Sequence, residues 1–292
     1  MGAPSAKSKR VGDLLAGAID TLERAAVPES RANAELLLAE LLDTDRGWLF
    51  VHRAENLDDA AAVHYEAWVR RRATREPLQH VMGVQEFHGL SLRADSRALI
   101  ARPETEGVVD AVLSLDLPSG ARLADLGAGG GCISVALAVR RCDLEIDALE
   151  RSVAALDLAR ENAELHGVTA RIRFTEGDLG DPPAAWRGRL HCVVSNPPYG
   201  SESEWPLLEP EVRDHDPREA FVAGPTGLEA YEALARPVYA LLRPAGHLVL
   251  ELGFGQAADV SAIVTRAGFD VREIRPDLNG IERVLVAHKG EG

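Results

Sequence analysis

The sequence predicts an α/β protein in which a small helical domain precedes a mostly parallel sheet. In the first part of the chain, apolar residues recur at three- and four-residue spacing, which indicates amphipathic helices. From Ala121 onward, short apolar runs alternate with helical patterns, which is typical of parallel strands joined by crossover helices. A length of 292 residues also favours two domains over one, at roughly 150 residues each.

Three segments of the first part have the pattern of core-facing helices: "VGDLLAGAIDTLERA", "SRANAELLLAELL" and "LDDAAAVHYEAWVRRRA". Ser30, and Asp58 or Asp59, are expected to cap two of them. The basic run "RRRATR", residues 70–75, is interpreted as the solvated end of the third helix, where positive charge suits the helix dipole. These helices define a first domain, predicted at residues 1–78.

A β-hairpin linker is predicted at residues 79–104. Within it the apolar period shortens to two in "VMGVQEFHGLSLRADSRALI", and Gly83 and Gly89 supply turn residues. The second domain is predicted at residues 105–292. Its seven strands are predicted in "ARLADLGA", "LEIDALE", "ARIRFTEG", "LHCVVSN", "GHLVLELG", "FDVREIRPD" and "ERVLVAHK". The last two are joined too tightly for a helix between them, so they are expected to pair antiparallel.

Composition excludes several classes of protein. No apolar stretch reaches the length of a membrane span, and the start "MGAPSAKSKR" lacks the apolar core of a secretion signal, so a cytoplasmic protein without a membrane partner is expected. The cysteines and histidines lack metal-ligand spacing, and no metal is expected. Cys132, Cys142 and Cys192 are interpreted as small buried hydrophobic residues.

The net charge of −14 argues against direct binding to nucleic acid. Affinity for a phosphate backbone comes largely from Lys and Arg, and this chain has 32 of them against 46 acidic residues. A local basic patch is still compatible with that balance.

Ligands of such sheets bind beyond the carboxyl ends of the strands, so the residue that ends each strand is a candidate to contact a ligand. The first strand ends in "DLGAGGGC", where Gly127, Gly129 and Gly131 let the backbone approach a ligand closely. Ala128 and Gly130 complete this candidate cofactor-binding turn. A glycine-rich turn alone is a weak signal, because dinucleotides, nucleosides and ordinary tight turns all use it.

The next three strand ends carry groups compatible with a nucleoside. Glu150 could accept hydrogen bonds from both ribose hydroxyls, and Asp178 could accept one from an exocyclic amine. Leu179 could cover an aromatic base. The fourth strand ends at Asn196 in "VVSNPPYG", where Pro197 keeps the backbone extended and the asparagine amide is presented.

The order "DLGAGGG", Glu150, "GDL" and "NPPY" resembles class I S-adenosylmethionine-dependent methyltransferases, which have a Rossmann-like sheet of seven strands. Further strings, "REPLQHVMGVQEFHGL" and "LIARPETE", are similar to the HemK/PrmC family, and the likeness extends over nearly the whole chain. Those enzymes methylate the side-chain amide of the glutamine in the Gly-Gly-Gln motif of peptide chain release factors. The resemblance therefore implies S-adenosylmethionine as cofactor, S-adenosylhomocysteine as product, and release factors as partners recognised by the helical domain.

Four residues depart from the family pattern. Ala101 stands where a proline is usual, Glu150 where aspartate is usual, and Leu179 near a common aromatic position. Gly200 replaces a β-branched residue and is expected to loosen the loop after the tyrosine. None of the four removes a group that the chemistry needs.

The resemblance makes Asn196, Pro197 and Tyr199 the candidate catalytic residues, and together with Pro198 they form the candidate substrate site. An amide nitrogen is a poor nucleophile, so an enzyme gains by holding its two hydrogens and aiming it at the methyl group. The side-chain carbonyl of Asn196 and the backbone carbonyl of Pro197 are two suitable acceptors. The Tyr199 ring would pack on the planar amide group of the substrate.

Three alternatives remain open from sequence. The same residues suit an exocyclic amine of a flipped base in RNA or DNA, although such an enzyme is expected to have a basic groove. Enzymes that methylate a glutamine of ribosomal protein L3 are close relatives, but they typically lack the "RPETE" string. A module that only holds S-adenosylmethionine while docking a partner is disfavoured by an intact Asn196 and Tyr199.

Overall fold

A computed structural model describes residues 9–290, and these residues form two compact units. The helical unit contains the residues up to Gly83 together with Glu209–His215, and the sheet unit contains Val84–Leu208 and Asp216 onward. This division differs from the predicted boundary after residue 78. Residues 79–82 continue a helix, and 209–215 join the helical unit although they lie far along the chain.

The helical unit is built from amphipathic helices around one apolar core. Its helices before Gly83 are α1 (Val11–Arg24), α2 (Ser30–Leu41), α3 (Arg46–Val51), α4 (Asp59–Ala73) and α5 (Leu78–Met82). Leu22, Leu37 and Tyr65 are buried at the centre of this core. Asp58 caps α4 as predicted, since its carboxylate accepts from the Ala61 amide at 2.8 Å. The prediction for Ser30 is wrong, because Ser30 lies inside α2 and donates to the Val27 carbonyl at 2.7 Å.

The interpretation of residues 70–75 as a solvated helix end is wrong for two of its arginines. Arg72 is buried, and its Nη2 lies 2.7 Å from the Glu211 carboxylate. Arg75 donates to the same carboxylate at 2.6 and 2.7 Å. These ion pairs account for the membership of Glu209–His215 in the helical unit.

The hairpin opens the sheet unit, with β1 (Val84–Phe87) paired antiparallel to β2 (Leu90–Arg93). Its turn residues His88 and Gly89 have φ of 52° and 72°, as a tight two-residue hairpin turn requires. The hairpin therefore begins at Val84 rather than at residue 79.

The remaining elements build a seven-stranded sheet flanked by helices. In chain order they are α6 (Glu106–Leu113), β3 (Arg122–Leu126), α7 (Cys132–Arg140), β4 (Glu145–Glu150), α8 (Val153–Leu165), β5 (Ile172–Glu176), β6 (Leu190–Ser195), β7 (Gly200–Ser201), α9 (Pro210–Arg213, in the helical unit), α10 (Arg218–Phe221), β8 (Val222–Gly224), α11 (Glu229–Leu241), β9 (Leu242–Glu251), α12 (Ala257–Arg266), β10 (Phe269–Pro276) and β11 (Glu282–Lys289).

The strand order is β10-β11-β9-β6-β3-β4-β5. The ladders among β3, β4, β5, β6 and β9 are parallel, and β11 is antiparallel to both β9 and β10. The predicted α/β fold and the antiparallel last pair are therefore confirmed. Because β3 and β6 are central and neighbouring, their carboxyl ends lie side by side.

Two apolar clusters bury the two faces of the sheet. One contains Val109 of α6 and Val135 of α7, and the other contains Leu234 of α11 and Val260 of α12. Alternate residues of β3 contribute to the two clusters, as the period of a strand requires.

The cysteine prediction is correct for Cys192 and wrong for Cys142. Cys192 is buried, Cys132 is half-buried and Cys142 is exposed. Within residues 9–290 there is no group of three or more His, Cys, Asp or Glu residues placed to hold a metal ion. No helix in that range is both long and apolar enough to cross a membrane.

Candidate active site

The glycine-rich turn leaves β3 at the carboxyl edge of the sheet and enters α7. Gly127, Gly129 and Gly131 have φ of 75°, 53° and 82°, a region that disfavours side chains. The amide of Gly127 donates to the Leu149 carbonyl at 2.8 Å, which ties the turn to β4. A Cβ at Gly131 would lie 2.9 Å from Cβ of Ala159, whereas a Cβ at Gly129 would meet nothing within 4 Å. Gly131 therefore serves helix packing, and Gly129 faces open space.

Glu150 ends β4 beside that turn. Its Oε2 accepts from the Gly129 amide at 3.0 Å, and its Oε1 accepts from the Ser152 amide at 2.9 Å. Each carboxylate oxygen can accept more than one bond, so both keep capacity for a ligand. The two backbone bonds fix the direction of the carboxylate toward the space above the turn.

Asp125 lies beneath the turn and is fully buried. Burial raises its pKa to about 6, against the opposing effect of the hydrogen bond from Ser134, whose hydroxyl lies 2.6 Å away. The Ser134 bond joins the end of β3 to the first turn of α7.

Asp178 and Leu179 follow β5 at the same edge. Asp178 is exposed and accepts from the Gly180 amide at 2.8 Å. Leu179 packs against the apolar cluster of α11, and its Cδ2 lies 3.9 Å from where a Cβ at Gly127 would be. The third strand end thus sits close to the glycine turn.

The segment Asn196–Tyr199 leaves β6 next to β3. Ser195, the last residue of β6, donates its hydroxyl to the Leu126 carbonyl at 2.5 Å, which holds the two strand ends together. The Asn196 amide is half-buried, and its Nδ2 donates to Oγ1 of Thr105 at 3.2 Å. Pro197 is buried, while Pro198 is half-buried.

Tyr199 is held by aromatic and polar contacts. Its ring meets Phe221 edge-on with centroids 6.0 Å apart, and its backbone carbonyl accepts from Nε2 of Gln256 at 2.9 Å. Burial raises the pKa of Tyr199 to about 12, so the phenol stays neutral at physiological pH.

The expectation that Gly200 loosens this loop is wrong. Gly200 pairs with Val222 in the short β7–β8 ladder, and a Cβ at Gly200 would lie 2.0 Å from the Phe221 ring. Phe221 also packs on Trp205, with centroids 6.0 Å apart. The absence of a side chain at residue 200 lets the Phe221 ring approach, and the loop is tightly packed.

The sheet unit contains a cleft that brings most of the candidate residues together. The candidates lining it are Gly127, Ala128, Gly129, Gly130, Glu150, Asp178, Leu179, Asn196 and Pro198. Gly131, Pro197 and Tyr199 do not line it: Gly131 packs on α8, Pro197 is buried, and Tyr199 packs on Phe221 and on the apolar cluster that contains α11. All four strand ends therefore contribute to one cleft.

Sequence reasoning missed part of the cleft wall. Two further sets of residues line the cleft. One set is Arg97, Ala98, Leu99 and Ala101, and the other is Arg151, Ser152, Pro217, Glu219 and Ala220. The first group precedes α6, and the last three lie at the start of α10. No spacing rule joins such distant segments, although Leu99 and Ala101 fall within the "LIARPETE" string that carries the family resemblance.

Comparison with known proteins places the chain among enzymes of one kind. Residues 13–83 match the family model "PrmC N-terminal domain", and residues 110–207 match "Methyltransferase small domain". A release factor glutamine methyltransferase of Nitratidesulfovibrio vulgaris is 38% identical over 94% of this chain and 94% of its own. One of Geobacter sulfurreducens is 39% identical over 89% of each chain, and one of Chlorobaculum tepidum is 37% identical over 97% of this chain and 98% of its own.

Among solved structures, the crystal structure of a methyltransferase from Pyrococcus furiosus superposes with a TM-score of 0.50 at 17% identity. It covers 70% of this chain and 91% of its own. At that identity the likeness shows a shared fold over the part of the chain that is covered, and nothing finer.

Proposed function

The chain belongs to the family of release factor glutamine methyltransferases, and on that premise we propose that its cleft methylates the glutamine of the Gly-Gly-Gln motif in release factors. The methyl donor is S-adenosylmethionine, and the acceptor is the side-chain amide nitrogen. The partner is a release factor protein, whose glutamine loop enters the cleft.

The glycine turn and Glu150 fit the donor. The open space at Gly129 and the positive φ of Gly127 allow a ligand to lie against the backbone without meeting side chains. Glu150 is directed by the amides of Gly129 and Ser152 and has lone pairs left for two ribose hydroxyls. Asp178 and Leu179 at the third strand end would take the exocyclic amine and one face of the base.

Asn196 and Pro197 would hold the acceptor. Because Nδ2 of Asn196 donates to Thr105, its Oδ1 is left to accept a hydrogen from the substrate amide. The backbone carbonyl of Pro197 is the second acceptor, and Tyr199 fixes the segment through Phe221 and Gln256. Two acceptors match the two hydrogens of a primary amide.

In the transfer, the amide nitrogen forms a bond to the methyl carbon while the bond between that carbon and sulfur breaks. The electron pair of the broken bond stays on sulfur, which gives the neutral thioether of S-adenosylhomocysteine. The nitrogen becomes more positive as it attacks, so its hydrogens bind the two acceptors more strongly than in the ground state. That difference lowers the barrier, and the methylated nitrogen then releases one proton to water.

One observation carries the proposal: Asn196 and Pro198 line the same cleft as Gly127, Gly129 and Glu150. A donor held by the turn would therefore have its methyl group within reach of an acceptor held by the Asn196 segment. The net charge of −14 favours a protein loop over a nucleic-acid backbone as that acceptor.

The test supplies labelled S-adenosylmethionine and one acceptor at a time. The acceptors are a cognate release factor, its Gln→Ala variant in the Gly-Gly-Gln loop, ribosomal protein L3, total RNA and total DNA. We expect label in the unmodified release factor alone. Label in L3, RNA or DNA with none in the release factor would overturn the substrate, and label in no acceptor would favour a binding module.

A further inference from the structure

The oxygen and nitrogen of the Asn196 amide could exchange places by rotation of the side chain, and only one orientation presents oxygen to a substrate. Its two terminal atoms differ in chemistry but hardly in shape. In the structure Nδ2 points to Oγ1 of Thr105 at 3.2 Å, and Thr105 is 1% exposed. The orientation of Asn196 thus depends on the groups that face Nδ2, which are the Thr105 hydroxyl and the Glu251 carboxylate.

Glu251 is the neighbouring acceptor that can set the direction of that hydroxyl, since hydrogen bonds from Thr105 and Asn196 lower its pKa. It is the last residue of β9, 2% exposed, and its neighbour Leu250 pairs with Ser195 just before Asn196. A carboxylate accepts hydrogen bonds and cannot donate them. A Thr105 hydroxyl that donates to Glu251 keeps its lone pairs for Nδ2 of Asn196, and Oδ1 must then face the other way.

Several groups around Glu251 determine its charge. Burial raises its pKa to about 7, while the side-chain hydrogen bond from Thr105 and the positive charge of Arg283 oppose that rise. Glu104 raises it, and the hydrogen bond from Asn196 lowers it. Tyr199 and Tyr231 lie near enough for the Glu251 charge to raise their own pKa values, and Tyr231 donates to the Glu251 backbone carbonyl at 2.9 Å.

We propose that Thr105 and Glu251 are positioning residues that orient and polarise the Asn196 amide for methyl transfer. The negative charge of Glu251 acts on Nδ2 through the Thr105 hydroxyl and through its own hydrogen bond with Asn196, which increases the electron density on Oδ1. Hydrogen bonds in such a chain strengthen one another, so Oδ1 becomes a better acceptor for the nitrogen as it turns cationic. This role rests on the proposed function, and it gives the buried threonine of the "RPETE" string a part in a cleft that it does not line.

The experiment measures kcat, KM for the release factor, and S-adenosylmethionine affinity in three variants and one control. Thr105→Val keeps the shape and removes the hydroxyl, Thr105→Ser keeps the hydroxyl, and Glu251→Gln keeps the shape and removes the charge. Thr265→Val is the control, because Thr265 is exposed on α12. Calorimetry with S-adenosylmethionine shows that each variant is folded.

We expect Thr105→Val and Glu251→Gln to lower kcat by about tenfold or more, with KM and cofactor affinity changed by no more than about twofold. Thr105→Ser should recover most of the wild-type kcat, and Thr265→Val should equal wild type. In wild type, kcat should rise with pH as Glu251 ionises near neutrality, and this dependence should be absent in Glu251→Gln.

Unchanged kcat in Thr105→Val, equal loss in Thr105→Ser, or an unaltered pH profile in Glu251→Gln would overturn the proposal. If the wild-type protein fails to methylate the release factor, the proposed function fails instead. Methylation rates of the same variants are then measured with whichever other acceptor becomes labelled, namely ribosomal protein L3, RNA or DNA. Equal rates for wild type and variants with that acceptor would overturn the positioning role.

Discussion

Glu150 shows how one carboxylate can be prepared for a ligand before the ligand arrives. The amides of Gly129 and Ser152 hold both of its oxygens, so little side-chain freedom remains to be lost on binding. The same two bonds hold the glutamate side chain at the end of β4.

Replacing Glu150 with alanine should weaken S-adenosylmethionine binding. Removing one buried hydrogen-bonding partner costs about 1–3 kcal/mol, which corresponds to an affinity loss of about 5- to 150-fold. Titration calorimetry measures this directly. Glu145→Ala, at the opposite and exposed end of β4, is the matched control and should bind normally. Unchanged affinity in a folded Glu150→Ala protein would remove this residue from the site.

Among the elements, the sequence is misleading about the loop after Tyr199, because the side chain that packs on Gly200 belongs to Phe221, 21 residues further along the chain. A glycine in place of a β-branched residue predicts looseness only if nothing fills the vacated space, and here the Phe221 ring fills it. The strand ends were easier to predict, since the period of each strand and the residue that follows it are local. The part of the cleft wall that residues 97–101 and 217–220 contribute could not be predicted, because only the fold brings those two segments together.

Gly200→Val should therefore destabilise the sheet unit and lower activity. The new side chain would overlap the Phe221 ring, and overpacking of this kind typically costs about 1–3 kcal/mol. Thermal unfolding measures the loss. The same substitution should cost less stability in a Phe221→Ala protein than in wild type, because the ring that it would overlap is then absent. A Gly200→Val protein as stable and active as wild type would show that the loop is loose after all.

The ion-pair cluster of Glu211 with Arg72 and Arg75 should stabilise the helical unit in a pH-dependent way. Burial raises the pKa of Glu211, but the hydrogen bonds from Arg75 and Arg72 outweigh it and hold the pKa at about 2. A lowered pKa means stability that is present above the ordinary glutamate pKa and lost as pH falls toward 2.

Glu211→Gln tests this cluster. Its unfolding temperature should lie below that of wild type at pH 7, and the difference should shrink as pH falls below the ordinary glutamate pKa of about 4.3. Glu40→Gln, an exposed position of α2, should show little change at either pH. A deficit that is the same at both pH values would show that packing, and not charge, holds the segment.

For the whole molecule, sequence reasoning reached the fold, the family and the chemistry because each strand end carries one recognisable group. It could not reach Thr105 and Glu251, since neither has a spacing that marks it as functional. It also misread Arg72 and Arg75, because their partner Glu211 is supplied by a segment that lies after β7. Long-range pairing is a property of the folded chain and leaves no local pattern.

The most direct test of the account is where the methyl group ends up. Wild-type protein, S-adenosylmethionine and an unmethylated release factor are incubated together, and tandem mass spectrometry maps the product. Asn196→Ala, which should bind the release factor but turn over far more slowly, is run beside it. The account predicts one methyl group on the side-chain nitrogen of the Gly-Gly-Gln glutamine, formed much more slowly by the variant. A methyl group on another residue, or equal rates for wild type and Asn196→Ala, would contradict it.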